Sequence, residues 1–169
     1  TLPLSQRREI LKTHNINQLC KAMLMENTKY QPPSSTTTTK NTFYPKYILV
    51  IVQYIASINP KKLNSYIQTQ YGEISKPPIS SYQFKVASLE DNIKHTGFEH
   101  NAVSPFGLIN EEIPIIFPES IIKDKVKFIW LGGGHEHLKV GVSVDEVLNR
   151  GNGTSSSGFF VKVGDVSDE

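Results

Sequence analysis

Cysteine is all but absent from this chain. Cys20 stands alone among 169 residues, so no intrachain disulfide can form, and a reducing, cytoplasmic compartment is expected. Long hydrophobic runs are missing too. No stretch approaches the roughly 20 apolar residues of a membrane-spanning helix, and no membrane partner is expected. Nor does one sign of charge dominate: 18 Lys and Arg face 16 Asp and Glu, for a formal net charge of +2. Such a balance permits contact with a polyanion without requiring it, and gives no ground for expecting DNA. The densest basic spots, Lys61-Lys62 and the alternation from Lys123 to Lys127, read as solvated faces. Internal repeats and nucleotide fingerprints are also lacking. Gly132-Gly-Gly134 has neither the lysine nor the hydroxyl residue of a phosphate-binding loop, and it leads toward a strand where a dinucleotide-binding turn would open a helix. The chain opens on Thr1 with no charged-then-apolar leader, which leaves its natural start open.

What is present is an ordinary globular composition, 38% hydrophobic and 20% charged, at a length that predicts one domain over residues 1–169. Ser5 to His14 reads as a short helix and Cys20 to Met25 as a compact strand. Prolines and hydroxyl residues break every periodicity from Gln31 to Asn41, so 31–42 reads as a loop insertion. Tyr47-Ile-Leu-Val-Ile-Val-Gln-Tyr54 is branched, aromatic and almost continuously apolar, which predicts a central strand buried on both faces. Asn59-Pro60 starts a helix that Gly72 ends, with Leu63 and Ile67 toward the core. Ser88 with Asp91 and Ser143 with Glu146 are capping boxes that open helices ending near Gly97 and Asn149. Ile113 to Phe117 reads as a strand, and Val126 to Leu131 with Leu138 to Val142 as a hairpin. After Arg150 a Gly- and Ser-rich tail is flexible by composition, and Phe159 to Val163 returns as an edge strand or stays loose. The expectation is therefore a mixed α/β (α+β) fold: a central curved mixed β-sheet, partly barrel-like, surrounded by short helices.

Two small-residue loops flank the 113–117 strand, Thr96 to Gly107 and Trp130 to His135. Backbone can approach a ligand closely in such loops, and converging N–H groups can meet a carbonyl or phosphate oxygen. Lys21 lies in an apolar strand, where its simplest reading is a lysine that reaches water from a sheet edge. His100, His135 and His137 could supply three nitrogens to a metal if the loops met, while His100 or His135 could serve as a general base. Loop histidines without either role are commoner. Cys20 reads as a buried core thiol, and Trp130 as a core side chain more than a base-stacking one.

Together these segments resemble the YbaK/ProX-type aminoacyl-tRNA editing domains, including their stand-alone eukaryotic relatives. The resemblance runs from about Arg7 to Leu148 and keeps the family's order: Leu19 to Met25 with its lysine, the strand from Tyr47 to Tyr54, the loop Asn101-Ala-Val-Ser-Pro-Phe-Gly107, the strand from Ile113, the hairpin beginning Phe128-Ile-Trp-Leu-Gly-Gly-Gly134, and the helix at Ser143 to Leu148. It implies hydrolysis of the ester that joins a wrong amino acid to the tRNA 3′ end, with a synthetase as a further partner, and it implies neither metal nor cofactor. It also reverses the reading of Lys21, which would face the substrate's terminal adenosine, phosphate or carbonyl. Lys21, Asn101 and Ala102 would be catalytic. His100, Val103, Ser104, Pro105, Phe106, Gly107, Gly132, Gly133, Gly134 and His135 would bind substrate. Two positions depart from the family pattern: Asn101 stands where glycine often opens the signature loop, and Pro118 stands where many relatives carry aspartate, with Glu119 beside it. Asparagine tolerates left-handed backbone better than most residues. An inactive domain that binds aminoacyl-tRNA or a synthetase is the alternative these departures motivate.

Overall fold

The computed structural model describes residues 2–32, 43–72, 76–151 and 160–168. Five strands form the central sheet in the order β4-β1-β2-β5-β8: β1 is Cys20–Asn27, β2 Tyr47–Gln53, β4 Phe84–Val86, β5 Ile115–Pro118 and β8 Val161–Gly164. β1 runs antiparallel to β2 and β4, whereas β2, β5 and β8 are parallel neighbours, so the sheet is mixed as expected. It is not closed into a barrel, because β4 and β8 lie at opposite edges of the strand order. A two-stranded ribbon joins β3 (Ser57–Ile58) to β9 (Ser167–Asp168), and the predicted hairpin pairs β6 (Phe128–Gly132) with β7 (Lys139–Ser143). The helices are α1 (Leu4–Ile10), α2 (Pro60–Thr69), α3 (Leu89–Thr96), α4 (Glu119–Lys123) and α5 (Val144–Gly151). None is long and apolar enough to cross a membrane. The insertion expected at 31–42 falls mostly outside the described residues, as do residues 152–159 of the tail expected to be flexible after 150, whereas 161–164 and 167–168 of that tail form β8 and β9.

Strand alternation divides the core into two layers. Cys20, Ala22 and Leu24 of β1 and Leu49 and Ile51 of β2 face one layer, shared with Ile129 and Leu131 of β6 and Val144 and Val147 of α5. Met25, Ile48 and Val50 face the other, where Leu63 and Ile67 of α2 are fully buried. Burial of each such side chain stabilises by about 1.5–3 kcal/mol. β2 is thus covered on both faces, which is why its sequence lacks polar alternation. Its buried Gln53 donates to the Asn17 carbonyl at 3.0 Å and accepts from Ser120 Oγ at 3.4 Å.

Local capping chemistry set the helix starts. The Asn59 side chain accepts from the N–H groups of Lys61 and Lys62, ahead of Pro60 in the first turn. Ser88 accepts from the Asp91 amide, and Ser143 exchanges hydrogen bonds with Glu146. Cys20 is buried, and burial pushes its thiol up to about 12, so it stays a protonated core group at neutral pH. The basic spots form exposed ion pairs, Lys62 with Asp165 and Asp168 and Lys123 with Glu119.

Candidate functional site

A cleft of about 300 Å³ opens along the outer edge of β1. The edge is open there because β4 pairs with β1 only from Met25 to Asn27, and the Ala87 amide closes the ladder onto the Leu24 carbonyl. Lys21, Ala22, Met23 and Leu24 therefore line the floor. One wall is Val86 and Ala87 with Leu89 and Asn92 from α3. The other is His100, Asn101 and Val103 with Gly132 and Lys139 from the hairpin, and Tyr54 stands at the end.

The loop wall is fixed by interactions local to α3. Gly97, at φ 79°, ends the helix in the left-handed conformation. Asn92, buried at the cleft, then donates from Nδ2 to the Phe98 carbonyl at 2.8 Å, while the Phe98 amide donates to Thr96 Oγ1 at 3.1 Å. A turn follows in which the Ala102 amide donates to the Glu99 carbonyl, and Asn101 adopts φ 66° within it. Asn101 thus takes a left-handed backbone conformation, which asparagine tolerates better than most residues. We expect Asn101→Gly to leave stability within about 0.5 kcal/mol of wild type and Asn101→Val to cost about 1–2 kcal/mol, as measured by urea unfolding.

The hairpin docks on this loop through backbone. Gly134 donates its amide to the Ala102 carbonyl at 3.1 Å. A Cβ on Gly132 would lie 2.3 Å from the Val103 carbonyl oxygen, so only glycine permits the approach. Docking leaves the amides of Asn101 and Val103 without a backbone acceptor among the described residues.

Of the residues singled out in the sequence, Lys21, His100, Asn101, Val103 and Gly132 meet at the cleft. Ala102, Ser104 and Pro105 are buried beneath the loop and do not line it. Phe106, whose amide donates to Ser104 Oγ, and Gly107 follow outside it. Gly133 and Gly134 turn the hairpin against Leu138 and Phe98. That turn carries His135 to an exposed position, where its Nδ1 accepts from the His137 amide at 3.3 Å. Histidines 100, 135 and 137 therefore do not assemble, and no three His, Cys, Asp or Glu residues group to hold a metal among the described residues. Pro118 is buried on β5 and Glu119 pairs with Lys123, and neither lines the cleft. Sequence reasoning missed Tyr54, Asn92 and Lys139. Lys139 carried the same signal as Lys21, a lysine within an apolar strand.

The cleft is positively charged. Lys21 and Lys139 line it, no carboxylate does, and neither lysine forms an ion pair among the described residues. Lys21 Nζ lies 5.8 Å from the Tyr54 ring centroid, and Arg7 Cζ sits 4.9 Å from the same ring. An apolar floor, free loop amides and two unpaired cations suit a ligand with an apolar end, a carbonyl and negative charge.

A mixed sheet bearing a cleft between its first strand and a docked hairpin defines the architecture of the chain. The chain belongs to the aminoacyl-tRNA editing domain family, whose model matches residues 12–149. Three solved structures share the fold. A scaffold protein used for computational epitope grafting superposes with a TM-score of 0.68 at 13% identity, covering 100% of this chain and 83% of that one. A candidate trans-editing enzyme for prolyl-tRNA synthetase gives 0.67 at 15% identity, with 99% and 80% covered. A hypothetical protein gives 0.64 at 15%, with 99% and 85% covered. No curated protein matches the chain in sequence.

Proposed function

We propose that the protein is a trans-editing deacylase, one domain acting in the cytoplasm on tRNA that carries the wrong amino acid. The observation that carries this reading is the meeting, in a carboxylate-free cleft, of Lys21 with the Asn101–Val103 loop in a chain of the editing family. Water attacks the ester carbonyl carbon and a tetrahedral oxyanion forms. The Lys21 ammonium and the Asn101 and Val103 amides stabilise that charge where it develops. His100 takes the proton from water and returns it to the ribose oxygen as the C–O bond breaks, which releases the amino acid and an intact tRNA end. Small Ala22 and Ala87 and the docked Gly132 leave room for the amino-acid side chain.

The test is hydrolysis of a panel of mischarged tRNAs that includes alanyl- and cysteinyl-tRNA for proline. We expect turnover of at least one well above the uncatalysed rate. Binding of every tRNA with turnover of none would replace the enzyme by a binding domain that serves tRNA or a synthetase.

A further inference from the structure

The editing reading accounts for Lys21 but not for Lys139. An aminoacyl-adenosine end carries no negative charge, since its ester is neutral and its α-amino group is a cation. Two unpaired lysines beside it would repel that cation unless an anion entered with it. The first anion available on the substrate is the phosphodiester before the terminal nucleotide.

Lys139 opens a distinct face of the hairpin. The register sets Lys139 opposite Gly132, Gly141 opposite Trp130 and Ser143 opposite Phe128, and residues directly opposite share a face. Ile129, Leu131, Val140 and Val142 pack toward the core, so the Lys139, Trp130 and Phe128 side points away from it. Phe128 is 38% exposed and Trp130 half-buried. Their rings meet edge to face at 5.6 Å and lie over Gly141, where a Cβ would come 2.5 Å from the Phe128 ring and 3.1 Å from the Trp130 ring. The result is a cation at the cleft mouth followed by an aromatic shelf along one ribbon. Single-stranded nucleic acid binds such arrangements, with phosphates on lysines and bases on rings.

We propose that this outer face of the β6–β7 hairpin is the track that leads the single-stranded RNA end into the cleft, with Lys139 on the phosphodiester and Trp130 under the preceding base. The inference takes the identity of the RNA from the editing reading. Its test does not depend on turnover.

Trp130 is the chain's one tryptophan, so its emission reports directly on stacking. A short RNA ending in CCA is titrated into the full-length protein. Quenching is expected, with affinity about tenfold lower in Lys139→Gln and a salt slope shallower by about 0.7, one phosphate contact on a single strand. Trp130→Leu keeps apolar bulk without the indole and, judged by competition with labelled RNA, should bind about tenfold more weakly, whereas Trp130→Phe should recover most of the loss. Deacylation adds a second readout: Lys139→Gln should raise KM for mischarged tRNA about tenfold more than KM for phosphate-free aminoacyl-adenosine, which offers the lysine no anion. RNA binding without quenching, no RNA binding, or equal loss on both substrates would overturn the track. Quenching with no turnover would keep the track and reject the deacylase.

Discussion

Lys21→Ala is expected to lower kcat/KM for ester hydrolysis by about 100-fold or more, while the thermal unfolding midpoint stays close to wild type. Removing one preorganised donor from a developing oxyanion typically costs about 10²–10³ in rate, and Lys21 brings a full charge to a cleft with no carboxylate to offset it. Folding, in contrast, asks little of the side chain. It forms no ion pair among the described residues, and its neighbour contact is a Tyr54 ring 5.8 Å from Nζ. The β1 ladder, in which Lys21 opposes Val52, is made by backbone and survives the change. Lys21→Arg should recover part of the rate, since it keeps the charge but not the compact ammonium. Single-turnover hydrolysis beside a thermal melt separates the effects. A stable Lys21→Ala protein within threefold of wild type would remove Lys21 from the chemistry.

Legibility of the fold followed the range of the interactions behind it. Asn59, Ser88 and Ser143 marked their helices because a cap is a contact between a side chain and amides two or three residues on. β2 was readable because burial on both faces leaves an unbroken apolar run. β4, the single turn at Ile79–Ser81 and α4 were not readable, being too short for periodicity. Pairing of β3 with β9 joins residues about 110 positions apart, and no local pattern encodes such a contact. Of the segment at Phe159 to Val163, left open between strand and loose chain, the part from Val161 on forms β8 (Val161–Gly164) along the parallel edge that β5 offers, and Phe159 lies outside the described residues.

The same division runs through the site. Lys21, Asn101, Val103 and Gly132, which line the cleft, could be singled out in the sequence because small residues and an out-of-place charge are visible one segment at a time. Tyr54, Asn92 and Lys139 reach the cleft through strand register, helix orientation and hairpin docking. His135 shows the converse. The resemblance placed it among the substrate-binding residues, but the turn that docks Gly134 against Phe98 leaves His135 exposed and off the cleft lining.

That docking carries the second large prediction. Gly132→Ala is expected to destabilise the protein by about 1–3 kcal/mol, the range for a buried steric conflict that backbone must absorb. Here the atoms met are the Val103 carbonyl oxygen at 2.3 Å, the Val103 carbonyl carbon at 3.1 Å and the Ala102 oxygen at 3.3 Å. All three are main chain, so no rotamer relieves the clash. The hairpin must retreat from the loop, which strains the Gly134 to Ala102 hydrogen bond and moves the Val103 amide relative to Lys21. Hydrolysis should therefore fall more than tenfold even at temperatures where the variant is folded, because misplacement of about 1 Å can cost about 100-fold. Gly107→Ala is the matched control. A Cβ there meets nothing within 4 Å, and only its φ of +77° opposes the change, so a loss of about 1 kcal/mol with near-normal activity is expected. Urea unfolding and single-turnover rates on both variants decide the matter. Equal, small effects would mean that the hairpin and the loop are not a rigid pair, and that the cleft between them is not the place where an ester is held.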